Sequence, residues 1–443
     1  MLDLCINMLY DALYSFSLCN DAFVAPDHAK GGALMITVEE IKKKVDSCKD
    51  EALQLLVEAL QSPSPTGSEL PMALTVKRWL EKLDIQVDAY EYQKDRPNFI
   101  ATWNGTKPGK TFLFNGHMDV FPATETDDPD YNAWSGKIDG DFVYGRGASD
   151  MKSGDCAALI AVKFLKEMGF DPNGSVVLNF VSDEESGGKN GILSLLKDGL
   201  IHADFGISME PSSSAPGITD VMIGHGGVYP CQVIVYGDGG HAAKPIDPND
   251  KDNKYGGEHA IQKAMKALAA LDVLAEEINS RPATDFGKSH MAVTKINAGI
   301  AVNNYPRRAE ICLDRRYMPN ESPESVDAEI IAALEKVKAE DPTFAYEFHN
   351  RYEPDTPVFI NDENSDIVKA LDWGCEQMCG RTPKHFTKVG GCDVAYIKKA
   401  IGGDYPWFGP GSFQIACADE NVSILNYLNC IKVYMATMVK MLG

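Results

Sequence analysis

The fold and the chemistry of this chain are decided by residues 111–150, TFLFNGHMDVFPATETDDPDYNAWSGKIDGDFVYGRGASD. The apolar run at 111–114 predicts a buried strand, and His117 and Asp119 follow at the sheet edge where α/β proteins place their chemistry. An imidazole two residues before a carboxylate can bind a cation through one ring nitrogen while the carboxylate fixes the tautomer at the other. For this pair alone, a simple hydrogen bond is the better interpretation. Asp150, just before a helical pattern, is a second candidate ligand.

Two further strand patterns favour the metal interpretation. Residues 175–182 form an apolar run that leads directly into Glu184 and Glu185, and residues 204–209 lead into Glu210. Successive strands would therefore deliver these carboxylates to the edge that holds the histidine. Carboxylates gathered at one place repel each other unless a cation lies among them, so the pattern predicts a divalent-cation site.

Composition limits the class of protein. The chain has 443 residues, of which 44% are hydrophobic and 24% charged, which is typical of globular proteins and long enough for two domains. A net charge of −22 argues against nucleic acid or an anionic membrane surface as partner. No apolar run approaches the length of a membrane span. The 11 cysteines are scattered, which is typical of reduced thiols in a cytoplasmic enzyme.

The N-terminal segment differs from the rest. Residues 1–34 lack the basic region of a secretory signal, and Lys30, Gly31 and Gly32 could be encoded by a purine-rich run resembling a bacterial ribosome-binding site. We hypothesise that residues 1–34 are a mis-called extension and that the natural chain begins at Met35.

From Met35, strands and helices alternate along the chain. Thr37 is the predicted N-cap of a helix over 38–61. The alternation predicts an α/β fold with a mixed, largely parallel sheet flanked by helices. The pattern changes at 224–345, which we interpret as an inserted α+β domain between the two parts of the main domain, 35–223 and 346–443.

Several short motifs follow one another along residues 35–443. They are Gly-His117-Met-Asp119, Gly-Arg-Gly-Ala-Ser-Asp150-Met-Lys, Asp-Glu184-Glu185, Glu210-Pro-Ser, Gly-Gly-His241-Ala-Ala-Lys-Pro, Asn303-Asn-Tyr-Pro306, Asp314-Arg-Arg316-Tyr, Gly-Gly-Cys-Asp393 and Phe-Gly-Pro-Gly411. Each motif alone is weak, but in this order they resemble the M20 family of metallopeptidases and deacylases. That family includes acetylornithine deacetylase, succinyl-diaminopimelate desuccinylase, aminoacylase and carboxypeptidase G.

The resemblance implies a site for two metal ions. Asp150 would bridge both ions, His117 and Glu210 would complete one site, and Glu185 would serve the other. Glu184 would be the general base that takes a proton from a metal-activated water, with Asp119 as a further catalytic residue. Zn²⁺ is the expected ion, with Co²⁺ or Mn²⁺ as alternatives, and either one or two ions remain open.

The resemblance also implies that 224–345 is a lid and dimerisation domain, so that the protein would be a homodimer through this domain. His241 would reach into the partner's active site and stabilise the oxyanion. Asn303 and Arg316 would approach the carbonyl or carboxylate of the substrate. A surface charge on a strand is an alternative interpretation of Arg316.

The last motif departs from the family pattern. A metal-binding histidine normally precedes its glutamate, but residues 414–420 read QIACADE and contain none. Cys417 could supply a thiolate to zinc, or it could be a buried structural cysteine. His385, the last histidine of the chain, is better interpreted as a surface or core residue than as a relocated ligand.

Two functions are compatible with these residues. The first is a metal-dependent hydrolase that cleaves the amide bond of an N-acyl amino acid or a short peptide. The second is a non-catalytic or weakly active homologue that binds a metal or a small ligand. Retention of a general base beside the metal favours the enzyme, whereas the absent imidazole favours the alternative.

Overall fold

The computed structural model describes residues 36–123, 132–247, 249–350 and 355–443. In chain order the α-helices are α1 (Val38–Ser47), α2 (Lys49–Leu60), α3 (Leu70–Leu80), α4 (Lys152–Glu167), α5 (Ile192–Lys197), α6 (Ala260–Asn279), α7 (Pro323–Glu340), α8 (Asp366–Cys379), α9 (Asp393–Ile401) and α10 (Ile424–Leu442). The strands are β1 (Gln86–Glu91), β2 (Pro97–Asn104), β3 (Lys107–His117), β4 (Lys137–Asp139), β5 (Phe142–Tyr144), β6 (Asn173–Val181), β7 (Phe205–Ser208), β8 (Ser213–Ala215), β9 (Ile218–Thr219), β10 (Val221–His225), β11 (Gly227–Tyr236), β12 (Gly240–His241), β13 (His290–Ala298), β14 (Asn304–Tyr305), β15 (Arg308–Tyr317), β16 (Ala345–Asn350), β17 (Phe359–Ile360), β18 (His385–Lys388) and β19 (Asn421–Ser423). Single-turn 3-10 helices lie at Glu81–Leu83 and Glu184–Ser186.

The central sheet has the strand order β1-β2-β6-β3-β7. Strand β3 lies between β6 and β7 and is parallel to both, whereas β1 and β2 add antiparallel strands beyond β6. Phe112 and Phe114 of β3 are fully buried. The carboxyl ends of β3, β6 and β7 therefore meet at one edge, and the predicted α/β fold with a mixed sheet is confirmed.

Helix α4 packs against this sheet through small side chains. A Cβ atom on Gly154 would lie 2.2 Å from the carbonyl oxygen of Met209, so only glycine fits where the helix crosses the end of β7. Helices α10 and α2 pack against α4, and α8 packs against α10. The helix that follows Asp150 is thus held at a fixed distance from the segment that carries Glu210.

A second sheet has four antiparallel strands in the order β13-β15-β11-β16. Helices α6 and α7 pack against this sheet. Along the chain the order of these elements is β11, α6, β13, β15, α7 and β16. A separate cluster of buried apolar side chains lies between the helices and the sheet. The residues from Ile36 to Gly443 nevertheless form one compact unit, so the domain boundaries at 223, 224, 345 and 346 stay predictions.

A smaller group of strands leads from the central sheet towards the C-terminal part. Strand β10 lies between β17 and β18 and is parallel to β18. Trp407 forms bridges to Ser208 at the end of β7 and to Met222 of β10, and so connects this group to the central sheet.

The predicted helix over 38–61 is two helices. Thr37 caps α1 as predicted, because its hydroxyl oxygen accepts a hydrogen bond from Glu40 N and the Glu40 carboxylate accepts one from Thr37 N. Cys48, with φ −111° and ψ 22°, leaves the helical conformation between α1 and α2. The hypothesis about residues 1–34 lies outside the described residues. Among the described helices, none is long and apolar enough to cross a membrane.

Candidate active site

Three strand ends bring the predicted ligands to one edge of the central sheet. His117 is the last residue of β3, and Glu210 follows β7 by two residues. Glu184 and Glu185 form the 3-10 turn that follows β6. Parallel neighbours end at the same edge, so the topology itself gathers these groups.

His117 lies at the centre of the carboxylates. Its Nε2 atom is 3.3 Å from Oδ1 of Asp150, 3.7 Å from Oε1 of Glu210 and 3.8 Å from Oε2 of Glu184. The ligand atoms of His117, Asp150 and Glu210 all lie within 4.8 Å of one another. The Nδ1 atom is 2.8 Å from the main-chain oxygen of Asp119, so Nδ1–H donates there and leaves Nε2 facing the carboxylates.

The protonation of His117 reflects these neighbours. Its side chain is only 1% exposed, and burial lowers its pKa. The side chains of Asp119 and Asp150 and the charges of Glu184 and Glu210 outweigh burial, so the net pKa is well above its ordinary value.

Asp119 connects β3 to the glutamate turn. Its carboxylate accepts hydrogen bonds from Glu184 N at 3.1 Å, Glu185 N at 3.2 Å and Thr66 Oγ1 at 2.9 Å. Its Oδ1 atom is 3.5 Å from His117 Nδ1, farther than its own main-chain oxygen. The main-chain carbonyl of Asp119, rather than the predicted carboxylate, therefore fixes the tautomer of His117. The Asp119 carboxylate instead orients the turn that carries Glu184 and Glu185.

The turn allows both glutamates to face the site. In an extended strand, consecutive side chains point in opposite directions, but Asp183 has φ +76° and starts a single 3-10 turn. Arg96 holds the turn from behind, donating to Asp183 Oδ1 at 2.6 Å and to Glu69 Oε2 at 2.8 Å. The side chains of Arg96 and Asp183 are both buried, so water does not compete with this ion pair.

Among the described residues, buried carboxylate oxygens of the predicted ligands lack a hydrogen-bond partner. They include Oδ1 of Asp150 and Oε1 of Glu185. Burial raises the pKa of Glu184 to about 7 and that of Glu185 to about 10, and it raises the pKa of Glu210 well above its ordinary value. Buried and unpaired acceptors with one imidazole suit a hard or borderline divalent cation, so these residues fit a metal ion.

The glutamate of the last motif lies behind Asp150, in a role that the sequence did not indicate. Glu420 is 3% exposed, and its carboxylate accepts from the Arg146 guanidinium at 2.9 Å. Its Oε1 atom also accepts from the main-chain N–H groups of Gly147, Ser149 and Asp150 at 3.0, 3.1 and 3.2 Å. Glu420 thus fixes the main chain that presents Asp150. Its position in the last motif was visible, but its partners are about 270 residues away.

The last motif places no imidazole in the site. Cys417 Sγ is half-buried and donates to the carbonyl of Gln414 at 3.6 Å, and burial raises the pKa of its thiol. Its sulfur is not part of the ligand group that the described residues form. His385 Nε2 lies 2.9 Å from Asp372 Oδ1, so this imidazole is engaged elsewhere.

The predicted oxyanion and substrate residues lie on the second set of strands. His241 is exposed on β12, which pairs with β14, and Ala242 N donates to the carbonyl of Asn303 at 2.9 Å. Arg316 on β15 donates from Nε and Nη2 to Asp314 at 2.7 and 3.0 Å. In the described part of the chain, no hydrogen bond or ion pair joins these residues to the carboxylates around His117.

The geometry defines a class of protein with a buried group of candidate metal ligands at the edge of an α/β sheet. Residues 113–440 match the family model of Peptidase family M20/M25/M40. The chain belongs to this family, and the resemblance found in the sequence is confirmed.

Curated relatives include two succinyl-diaminopimelate desuccinylases. The one from Psychromonas ingrahamii is 27% identical over 396 residues, which are 88% of this chain and 98% of the relative. The one from Paracoccus denitrificans is 32% identical over 254 residues, which are 55% of this chain and 62% of the relative.

Solved structures share the fold. Human carnosine dipeptidase 1 superposes with a TM-score of 0.70 at 15% identity and covers 91% of this chain and 98% of its own. A dinuclear metal-binding peptidase of the M20 family from Bacillus subtilis has a TM-score of 0.64 at 18% identity, covering 89% and 98%. At these identities the likeness supports the fold alone.

Proposed function

We propose that the protein is a metal-dependent hydrolase that cleaves the amide bond of an N-acyl amino acid or a short peptide. The observation that carries the proposal is the group of His117, Asp150 and Glu210, whose ligand atoms lie within 4.8 Å of one another, beside buried acceptors without partners. The names of the relatives, a desuccinylase and a dipeptidase, support amide substrates of this size.

The chain's residues divide into two ligand sets. His117, Asp150 and Glu210 would hold one ion, and Asp150 with Glu185 would hold a second. Zn²⁺ suits the first set because it contains one imidazole and two carboxylates, and Co²⁺ or Mn²⁺ can occupy similar ligands. A divalent ion held there would polarise the scissile carbonyl and make water a better nucleophile.

Glu184 acts as the general base in this proposal. Its Oε2 atom lies 3.8 Å from His117 Nε2, so it borders the ligands without belonging to the three-residue group. Glu184 takes a proton from the attacking water and returns it to the leaving nitrogen. The Asp119 carboxylate accepts a hydrogen bond from the main-chain N–H of Glu184 and so holds the Glu184 side chain in place. Burial raises the pKa of Glu184 to about 7, so its carboxylate is suited to accept and return a proton near neutral pH.

We also propose a homodimer through the second sheet. Strand β13 is an edge strand of this sheet, and its Val293 and Ile296 are 37% and 52% exposed. A second copy that pairs with this edge would cover these side chains. In this arrangement His241 of one copy stabilises the oxyanion in the other, while Asn303 and Arg316 contact the substrate.

We also propose that the protein is cytoplasmic. Nine cysteines of the described residues are free thiols, which suits a reducing compartment such as the cytoplasm.

The alternative is a weakly active or non-catalytic homologue. It is favoured by one observation, that Cys417 lies outside the ligand group and no histidine occupies the last motif. The second ion would then have only the carboxylates of Asp150 and Glu185 as ligands.

A Glu184→Gln variant separates the two functions. Wild type, Glu184→Gln and the exposed control Glu276→Gln are loaded with zinc, cobalt or manganese and assayed on N-acetyl and N-succinyl amino acids and on dipeptides. We expect kcat to fall by about 10²- to 10⁴-fold in Glu184→Gln only, with the metal content unchanged. Equal turnover in all three proteins, or no turnover in wild type with any ion, would contradict the enzyme assignment.

A further inference from the structure

Lys388 is a half-buried lysine near the candidate active site. It is the last residue of β18, and its register partner on β10 is His225. Its Nζ atom lies 3.6 Å from the ring centre of Phe413 and 5.8 Å from that of Trp407. Contacts with two aromatic faces hold the ammonium in one place.

The two rings belong to the segments that build the site. Phe413 follows Ser412, whose N–H donates to Ser149 Oγ at 2.9 Å, and Ser149 precedes Asp150. Trp407 forms a bridge with Ser208, two residues before Glu210.

The charge of Lys388 acts in the same region. Burial lowers its pKa, and the negative charges of Glu210 and Asp150 act against this lowering. The ammonium and these two carboxylates therefore attract each other.

Other basic side chains near the site already have oxygen partners. Arg146 donates to Glu420, Arg96 to Asp183 and Lys152 to the carbonyl of Ser62. Among the described residues, the Nζ atom of Lys388 makes no hydrogen bond or ion pair, and it lies over the rings of Phe413 and Trp407. An ammonium has three N–H donors, so this group has binding capacity that the protein does not use.

Binding of a metal ion would leave the positive charge of Lys388 less well balanced. A divalent ion among Asp150 and Glu210 would neutralise the negative charges that now face Lys388. The ammonium would then be a half-buried positive charge without a negative partner, which is unfavourable unless an anion arrives with the substrate.

We propose that Lys388 binds a carboxylate of the substrate and so selects anionic substrates. This inference rests on the proposed amide hydrolysis and adds a substrate class to it. The carboxylate has two possible sources, the acyl group, as in a succinyl amide, or the amino acid that is released. The selectivity of Lys388 would be separate from that of Arg316, whose guanidinium is already paired with Asp314.

Three substrates distinguish the sources. N-succinylalaninamide carries a carboxylate only in its acyl group, N-acetylalanine carries one only on the amino acid, and N-acetylalaninamide carries neither. Zinc-loaded wild type, Lys388→Met, Lys388→Arg and the exposed control Lys384→Met are compared on each. A charge-assisted hydrogen bond predicts a loss of roughly ten- to hundredfold in kcat/KM for one carboxylate substrate in Lys388→Met. We expect little change for N-acetylalaninamide and partial recovery in Lys388→Arg.

Binding provides a readout that does not depend on turnover. Succinate and acetate are titrated calorimetrically into the same zinc-loaded proteins, and we expect Lys388→Met to weaken the affinity for at least one of them by about tenfold or more. Equal loss on all three substrates, or unchanged kinetics and unchanged affinity, would overturn the inference. Lysine-dependent binding of succinate or acetate without turnover in wild type would instead contradict the proposed hydrolase and leave carboxylate binding established.

Discussion

Replacement of Glu420 by glutamine tests whether the segment behind Asp150 supports the metal ligand. The change keeps the size of the side chain but removes its charge. One amide oxygen can still accept from the main-chain N–H groups that Glu420 Oε1 now binds. The amide nitrogen, however, would face the guanidinium of Arg146, so that two donors meet where a charged pair lay.

The expected loss of stability follows from this contact. A hydrogen bond to a charged group contributes roughly 1.5–3 kcal/mol, and breaking a buried ion pair costs roughly 3–5 kcal/mol. Arg146 keeps its hydrogen bond to the carbonyl of Cys417 at 3.1 Å, which places the loss at the lower end. We expect the free energy of unfolding to fall by about 3 kcal/mol.

The expected loss of metal affinity has a different cause. Groups that orient a ligand typically change metal affinity by about 10- to 100-fold when they are removed. Glu420 orients Asp150 through the Asp150 N–H, so we expect zinc affinity to fall within this range.

The two effects are measured separately. Thermal unfolding of the metal-free proteins gives the stability change, and competition with a chromogenic chelator gives the zinc dissociation constant. Glu363→Gln, which removes an exposed charge, is the matched control. Wild-type zinc affinity in a destabilised Glu420→Gln protein would show that Glu420 supports only the fold, and an unchanged melting temperature would refute the reasoning altogether.

Three further changes follow from single contacts. Asp119→Asn keeps one acceptor for the N–H groups of Glu184 and Glu185 but weakens the turn, so kcat should fall at least about tenfold at constant zinc content, whereas wild-type kcat would contradict the assigned role. Gly154→Ala places a Cβ atom 2.2 Å from a carbonyl oxygen, so calorimetry should show a loss of roughly 1–3 kcal/mol or more, and wild-type stability would mean that α4 can shift freely. Burial lowers the pKa of His225 from 6.5 to about 4. Between pH 4 and pH 6.5 the unfolded chain therefore binds more protons than the folded protein. The free energy of unfolding should fall by roughly 3 kcal/mol as the pH drops from about 6.5 to about 4. His225→Asn should lose this dependence, and an identical slope in urea titrations would refute the assignment.

The parts of the site that could be predicted lie close together in sequence. The apolar run at 111–114 identified a strand, and His117 was visible because it follows this strand at the sheet edge where α/β proteins place their chemistry. The same argument located Glu184, Glu185 and Glu210. Parallel pairing then brings such strand ends together, so local patterns are enough to predict the gathering of these ligands.

The parts that could not be predicted depend on distant pairing. Glu420 and Arg146 are 274 residues apart, and nothing in either local sequence indicates the other. The surroundings of Lys388 likewise come from Trp407 and Phe413 on another segment. The break at Cys48 was missed for the opposite reason, because the apolar spacing of α1 and α2 continues through it. Periodicity reports which face is buried and carries little information on the dihedral angles of a single residue.

The spacing of His117 and Asp119 has a structural reason that differs from the first interpretation. Two residues beyond β3, the Asp119 carboxylate spans the gap to the turn after β6 and binds the main chain of both glutamates there. Its carbonyl meanwhile orients the imidazole. One residue therefore aligns two neighbouring strand ends, the proposed ligand histidine on one and the proposed base and second proposed ligand on the other. Since a displacement of about 1 Å can cost much of a catalytic rate, this alignment explains why the carboxylate belongs at this position even though it is not itself a ligand of the three-residue group.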